Sequence, residues 1–177
     1  MSEEHFLADG TLIQARSSQK SFGLKDGSDD GVGGDSRGQK RSNKTHESTT
    51  DADARLYKKS YGKNSRLSYL GHALVENRTG LIAVAMVTHI DGYAEHSAAL
   101  LMLQQKQEAR SRRITMGVDK AYDTKGFAST VRGLNVTQHV TKNDKGRRRN
   151  WDRRTTRQPG FAISLSPRWL IEMGFGR

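Results

Sequence analysis

Residues 66–88, RLSYLGHALVENRTGLIAVAMVT, hold two apolar runs separated only by Asn77-Arg78-Thr79-Gly80. So short a link leaves no room for a crossover, so the two runs must return antiparallel within one sheet. The first run alternates apolar and polar residues, as a half-buried strand does. The second, LIAVAMVT at 81–88, is apolar on both faces, which predicts a central strand covered on both sides. Upstream, HFLADGTLIQA at 5–15 also alternates, placing Leu7, Asp9, Thr11 and Ile13 on one face. These three segments make an antiparallel meander with a long insertion after its first member.

That insertion, residues 17–66, is rich in Gly, Ser, Asp, Lys and Asn and nearly empty of aliphatic side chains. Such a composition buries too little apolar surface to offset its ordering entropy, which predicts a disordered loop. Its glycines do not make a phosphate cradle, because no apolar strand precedes them and no helix pattern follows. Beyond the meander, AEHSAALLMLQQKQEAR at 94–110 predicts a helix and RRITMGVD at 112–119 a fourth strand. Thr124 is placed to cap a short helix running to about Leu134, and VTQHVTK at 136–142 is a fifth strand. GFAISL at 160–165 is a short extended piece. Ser166-Pro167 then starts a last helix that carries Trp169, Leu170, Ile171, Glu172 and Phe175. A meander followed by alternating helices and strands predicts an α/β fold: a mixed five-stranded sheet, three strands antiparallel and two parallel, with flanking helices.

Charge narrows the partners. The chain has 30 Lys and Arg against 19 Asp and Glu, a net charge of +11, so a polyanion is the expected partner and nucleic acid the commonest one. With no cysteine, disulfides and thiolate metal sites are excluded. The longest apolar run, LIAVAMV, is too short to span a bilayer, and MSEEHFLADG lacks an export pattern; a cytoplasmic, nucleoid-associated location is expected. The segment 142–157, KNDKGRRRNWDRRTTR, concentrates cations and lies between the fifth strand and the last helix. A solvated charge run and a phosphate-binding arm both fit it. His89 and His96 could pair on a metal, but no third ligand is evident, and His72, His89, His96 and His139 are expected to be structural or surface residues.

Two acids stand where packing gives them no reason. Asp9 lies mid-strand among apolar neighbours, and Asp119 ends the fourth strand on the face opposite Met116 and Val118. An ionised carboxylate on a sheet face is costly unless a positive charge sits against it. Lys or Arg would serve. So would a hard divalent cation such as Mg²⁺, which needs a few carboxylates plus waters and phosphate oxygens.

The words LADGTLIQARSSQKSF, THESTTDADARLYKKSYGK, LGHALVENRTGL, GVDKAYDT and RRTTRQPGFAIS, in that order, resemble bacterial insertion-sequence transposases of the DDE type, whose catalytic domain is RNase H-like. The resemblance runs from about Phe6 to Arg177. It implies that Asp9 in ADGT, Asp119 in GVDKAYD and Glu172 in RWLIEMGFG are the catalytic, metal-holding acids. It further implies two Mg²⁺ ions (Mn²⁺ as a substitute) and in-line cleavage and transfer of DNA strands during transposition. Implied DNA contacts are Lys120, Tyr122, Arg147, Arg148, Arg149, Arg153, Arg154, Arg157 and Arg168. The expected partner is double-stranded DNA, at insertion-sequence ends and target, with a homo-oligomer as a further candidate. The sequence departs from the family at Ala121 and Leu165, and the family extends past both ends of the similarity, so a clipped catalytic core with weak or no activity is expected. The competing expectation is a non-catalytic DNA-binding protein with a relict acidic triad.

Overall fold

The structure, a computed structural model, describes residues 5–26, 41–59, 61–108, 112–141, 155–157, 159–166 and 168–176. Its contacts gather into two compact units. One comprises Met1–Thr11, Gly71–Met86 and Tyr93–Arg177; the other comprises Leu12–Leu70 and Val87–Gly92.

Among the described residues the strands are β1 (His5–Gln14), β2 (Phe22–Leu24), β3 (His46–Ser48), β4 (Arg55–Tyr57), β5 (Arg66–Glu76), β6 (Ile82–Thr88), β7 (Ile114–Val118) and β8 (Val136–Val140). The α-helices among the described residues are α1 (Ala94–Glu108), α2 (Lys125–Gly133), α3 (Pro159–Leu165) and α4 (Arg168–Gly174). Six strands form one sheet in the order β4-β5-β1-β7-β8, with β6 pairing β5 off that path; β2 and β3 pair by themselves. The backbone N–H of Asn77 donates to the His5 carbonyl and that of Ala15 to the Leu67 carbonyl, both at 2.9 Å. Ten residues up β1 thus match ten residues down β5, as an antiparallel ladder requires. β1 with β7 and β7 with β8 run parallel. The chain is therefore a mixed α/β fold whose sheet has both parallel and antiparallel strands and flanking helices. The sheet has six strands, one more than the sequence suggested, because β4 comes from the segment read as a disordered insertion.

In the first unit, successive residues of β1 are buried on opposite faces. Phe6 and Ala8 join Leu74 of β5, Ala99, Met102 and Leu103 of α1, and Phe127 and Val131 of α2. Leu7 joins Ala73, Val75 and Ile171 of α4, with Phe175 half-buried beside them. The doubly covered strand is thus β1. The run 81–88, expected to be central, is instead the edge strand β6, with Ile82, Ala83, Ala85 and Val87 exposed and only Val84 and Met86 touching the core. Apolarity on both faces does not separate a buried strand from an edge strand that leaves one face in solvent. No helix among the described residues is long and apolar enough to cross a membrane.

The helix at 125–133 follows from its cap: Thr124 Oγ1 accepts from the Phe127 N–H, and Asn135 takes φ 57° just beyond the far end. GFAISL, expected to be extended, is most of α3. Pro159 fits the first position of a helix, and Ser164 Oγ donates to the Gly160 carbonyl at 2.8 Å within it. Gly117 of β7 lets α3 approach. A Cβ there would lie 2.8 Å from both Leu7 Cδ2 and the Ser164 carbonyl oxygen.

In the second unit, residues 17–26, 41–59 and 61–66 are ordered where disorder was expected for 17–66, and residues 27–40 lie outside the described residues. β2 and β3 form an antiparallel pair with Phe22 opposite Ser48 and Leu24 opposite His46. Ala15, Phe22, Ala54 and Leu67 make a small core, and the His46 ring stacks on Phe22 with centroids 5.5 Å apart. Polar side chains do much of the fastening. Asn43 donates to the Leu56 carbonyl at 2.9 Å and accepts from the Leu56 N–H at 2.7 Å, and the Tyr69 hydroxyl donates to Asp51. Side chain–backbone bonds of this kind replace the aliphatic pattern that sequence reading seeks.

Candidate active site

The β1–β7 pairing puts His5 opposite Thr115, Phe6 opposite Met116 and Leu7 opposite Gly117. Continued two residues toward the carboxyl ends, that register brings Asp9 level with Asp119, on neighbouring strand positions about 5 Å apart along the sheet. Asp119 lies just past the carboxyl end of β7, where open α/β sheets present their ligand sites, and Asp9 lies midway along β1. Both acids are half-buried. Asp9 Oδ1 accepts from the Gly10 N–H at 2.8 Å, and Asp119 Oδ1 accepts from the Lys120 N–H at 2.6 Å. Each bond uses one oxygen of its carboxylate and fixes the head against the backbone.

The turn after Asp119 is itself clamped. Lys120–Tyr122 is a single 3-10 turn capped by Asp119. Its Tyr122 is buried, with ring centroids 4.9 Å from His96 and 5.2 Å from Phe127. His96 Nε2 donates to the Ala121 carbonyl at 3.2 Å, so the first turn of α1 holds the turn that holds Asp119.

The residue before His96 is Glu95. A Cβ on Gly10 would come within 3.2 Å of Glu95 Oε1, so this carboxyl lies over the β1 backbone next to Asp9. Burial pushes the Glu95 pKa up, and the negative charges of Asp9 and Asp119 push it the same way, against the opposing influence of His96. Glu95 therefore lies within electrostatic reach of both aspartates. Sequence reading missed it because a Glu in the first turn of a helix has an ordinary explanation in the helix dipole. Its pairing with Gly10, the small residue that follows Asp9, was the available signal.

The other expected site residues divide. Glu172 is exposed on α4, one position after the buried Ile171 that packs with Leu7. Among the described residues, no three His, Cys, Asp or Glu side chains are grouped to hold a metal ion, whether the third acid is taken as Glu172 or Glu95. Lys120 and Arg157 are exposed. Tyr122, expected to touch DNA, is instead a core residue, since its ring is spent on His96 and Phe127. Arg147, Arg148, Arg149, Arg153 and Arg154 lie outside the described residues, as does the Arg168 side chain. Among the histidines, His72 and His139 are buried in the interior and His89 pairs with Asp53 at the surface.

No protein-family model matches the sequence, and neither does any curated protein. Among solved structures, the fold is similar to that of a piggyBac transposase synaptic complex with hairpin DNA, with a TM-score of 0.44 and 10% identity over 88% of this chain and 26% of that one. The chain spans about a quarter of that protein's length.

Proposed function

We propose that this chain is a polynucleotidyl transferase core of the DDE transposase type, which binds DNA and cuts and joins its phosphodiester backbone with Mg²⁺. One observation carries the reading: the β1–β7 register, which pairs Leu7 with Gly117, runs on toward Asp9 in the middle of β1 and Asp119 just past the end of β7, in a chain of net charge +11. The five sequence words that resemble insertion-sequence transposases put the family's first two acids on these same residues.

The donor set suits a hard cation. Two carboxylates on adjacent inner strands of the sheet would satisfy Mg²⁺ when water and phosphate oxygens take the remaining positions. When bound, such an ion polarises a phosphoryl oxygen and lowers the pKa of its water. Asp9 and Asp119 would hold it, each carboxylate anchored to the backbone through its Oδ1. Glu95, half-buried and with its pKa raised by burial and by the charges of Asp9 and Asp119, would be placed to give or take a proton beside them. Lys120 stands next to Asp119 and would neutralise a phosphate as the strand is seated. The assignment of the third acid to Glu172 rests on the sequence resemblance alone.

The test is a nicking assay on supercoiled plasmid with Mg²⁺, comparing the unaltered chain with Asp9→Asn and Asp119→Asn. Either substitution should cut the Mg²⁺-dependent rate by at least about a hundredfold, the scale expected for a group that stabilises transition-state charge. DNA affinity in EDTA should stay unchanged. Equal nicking by all three proteins would overturn the proposal. Firm DNA binding with no nicking by any of them would favour the reading as a DNA-binding protein with relict acids.

A further inference from the structure

The second unit carries a groove of about 680 Å³ that the catalytic reading does not use. It is lined by Tyr57, Lys59, Lys63, Asn64, Arg66 and Gln14, among others, and no acidic side chain among the described residues lines it. The cations have a local origin. Residues 55–66 read RLYKKSYGKNSR, with Arg55, Lys58, Lys59, Lys63 and Arg66 and no Asp or Glu. β4 and β5 pair antiparallel through Arg55 opposite Ser68 and Tyr57 opposite Arg66, so this stretch folds back on itself and gathers its charges at one end of the pair. Like charges this close repel, and a polyanion is the partner that relieves the repulsion.

Two further features narrow the partner. The tyrosines of the stretch face solvent: Tyr57 is 40% exposed and Tyr61 fully so, with Lys58 Nζ 5.5 Å from the Tyr61 ring centroid. Gly62, at φ +82°, makes the left-handed step that separates Tyr61 from Lys63. Meanwhile Arg66 is oriented, because its guanidinium donates to Gln14 Oε1 at 2.6 Å. Basic side chains that track a backbone, alternating with exposed rings, are how unpaired nucleic acid is held. In a duplex the base faces are stacked inside, so Tyr57 and Tyr61 would gain nothing from it.

We propose that this groove binds single-stranded DNA, with Lys59, Lys63 and Arg66 on phosphates and Tyr57 and Tyr61 stacked on unpaired bases. The choice of DNA over RNA rests on the proposed transposase function. The site itself is independent of the acids on β1 and β7.

Fluorescence anisotropy in EDTA tests it, using a labelled oligothymidylate of about fifteen nucleotides, within the span of known single-strand sites. A duplex of equal length and an oligouridylate serve as comparisons. Tyr57→Ala with Tyr61→Ala should weaken oligothymidylate binding by about tenfold or more and leave the duplex unaffected. Lys59→Gln with Lys63→Gln should reduce the salt slope, log K against log salt, by about 1.4, which is about 0.7 for each phosphate no longer neutralised. All these residues are at the surface, so circular dichroism should be unaltered. Unchanged single-strand affinity in both double variants, or a duplex bound more tightly than the single strand, overturns the groove. Tighter binding of oligouridylate overturns the choice of DNA. Failure of the catalytic reading shows separately: a chain that never nicks can still bind oligothymidylate here, and Asp9→Asn should bind it normally.

Discussion

His139 offers the sharpest test of the packing. It sits on β8 with 2% of its surface exposed, its ring 5.2 Å from that of Phe161 on α3. Neither ring nitrogen finds a hydrogen-bond partner among the described residues. Burial, reinforced by the nearby His5, lowers its pKa from 6.5 to about 4. Between those values the unfolded chain takes up a proton that the folded chain refuses. Stability is therefore fully present above pH 6.5, falls as the pH falls, and stops falling on this account once the folded pKa of about 4 is passed. A gap of about 2.5 units at 1.36 kcal/mol each gives about 3 kcal/mol, a large part of the ~5–15 kcal/mol that holds a typical domain. Urea unfolding of the unaltered chain and of His139→Leu, from about pH 7.5 down to about pH 4, isolates the effect, since other groups cancel in the difference. The leucine variant should match the unaltered chain within about 1.5 kcal/mol near neutrality, because a buried ring that makes no hydrogen bonds gives up little to an apolar one of similar size. It should then gain about 3 kcal/mol over it in acid. A stability difference that stays flat with pH would refute the argument.

Two other outcomes follow from close approaches between elements. Gly117→Ala forces a methyl to within 2.8 Å of Leu7 Cδ2 and the Ser164 carbonyl, so thermal unfolding should show a loss of about 1–3 kcal/mol; an unshifted midpoint would mean that α3 does not lie this close to β7. Asp9→Asn removes one of the charges that raise the Glu95 pKa, so a ¹³C titration of the Glu95 carboxyl should move to lower pH while staying above the ordinary range, since burial persists; no movement would show that the two acids are not neighbours.

What the sequence made legible depended on whether a residue's neighbours lay close in the chain. The Thr124 cap needs only Phe127, the return from β5 to β6 needs only the turn at 77–80, and both were readable. Asp9 and Asp119 stood out because each broke an apolar pattern. The β-structure inside 17–66 was invisible, since Asn43 acts on the Leu56 backbone and Tyr69 on Asp51, bonds that leave no periodic trace. The edge position of β6 was hidden for a different reason. Strand order belongs to the whole sheet, and a run such as LIAVAMVT records only that apolar side chains were tolerated, not which neighbour covers them.

Glu95 shows the limit most clearly, and it bears on the site itself. A resemblance places acids one at a time along a chain, whereas electrostatics counts those that share a space. By the first measure the third acid is Glu172; by the second, the acid that feels Asp9 and Asp119 is Glu95, held over Gly10 at the start of α1. The two can be told apart without catalysis. Mg²⁺ binding should stabilise the folded chain by mass action, and Glu95→Gln should weaken that stabilisation if Glu95 joins Asp9 and Asp119 around the ion. Glu172→Gln should leave it intact on this view. If Glu172→Gln abolishes the Mg²⁺ shift and Glu95→Gln does not, the ion takes its third ligand from α4, and Glu95 serves only to fasten the start of α1 to β1.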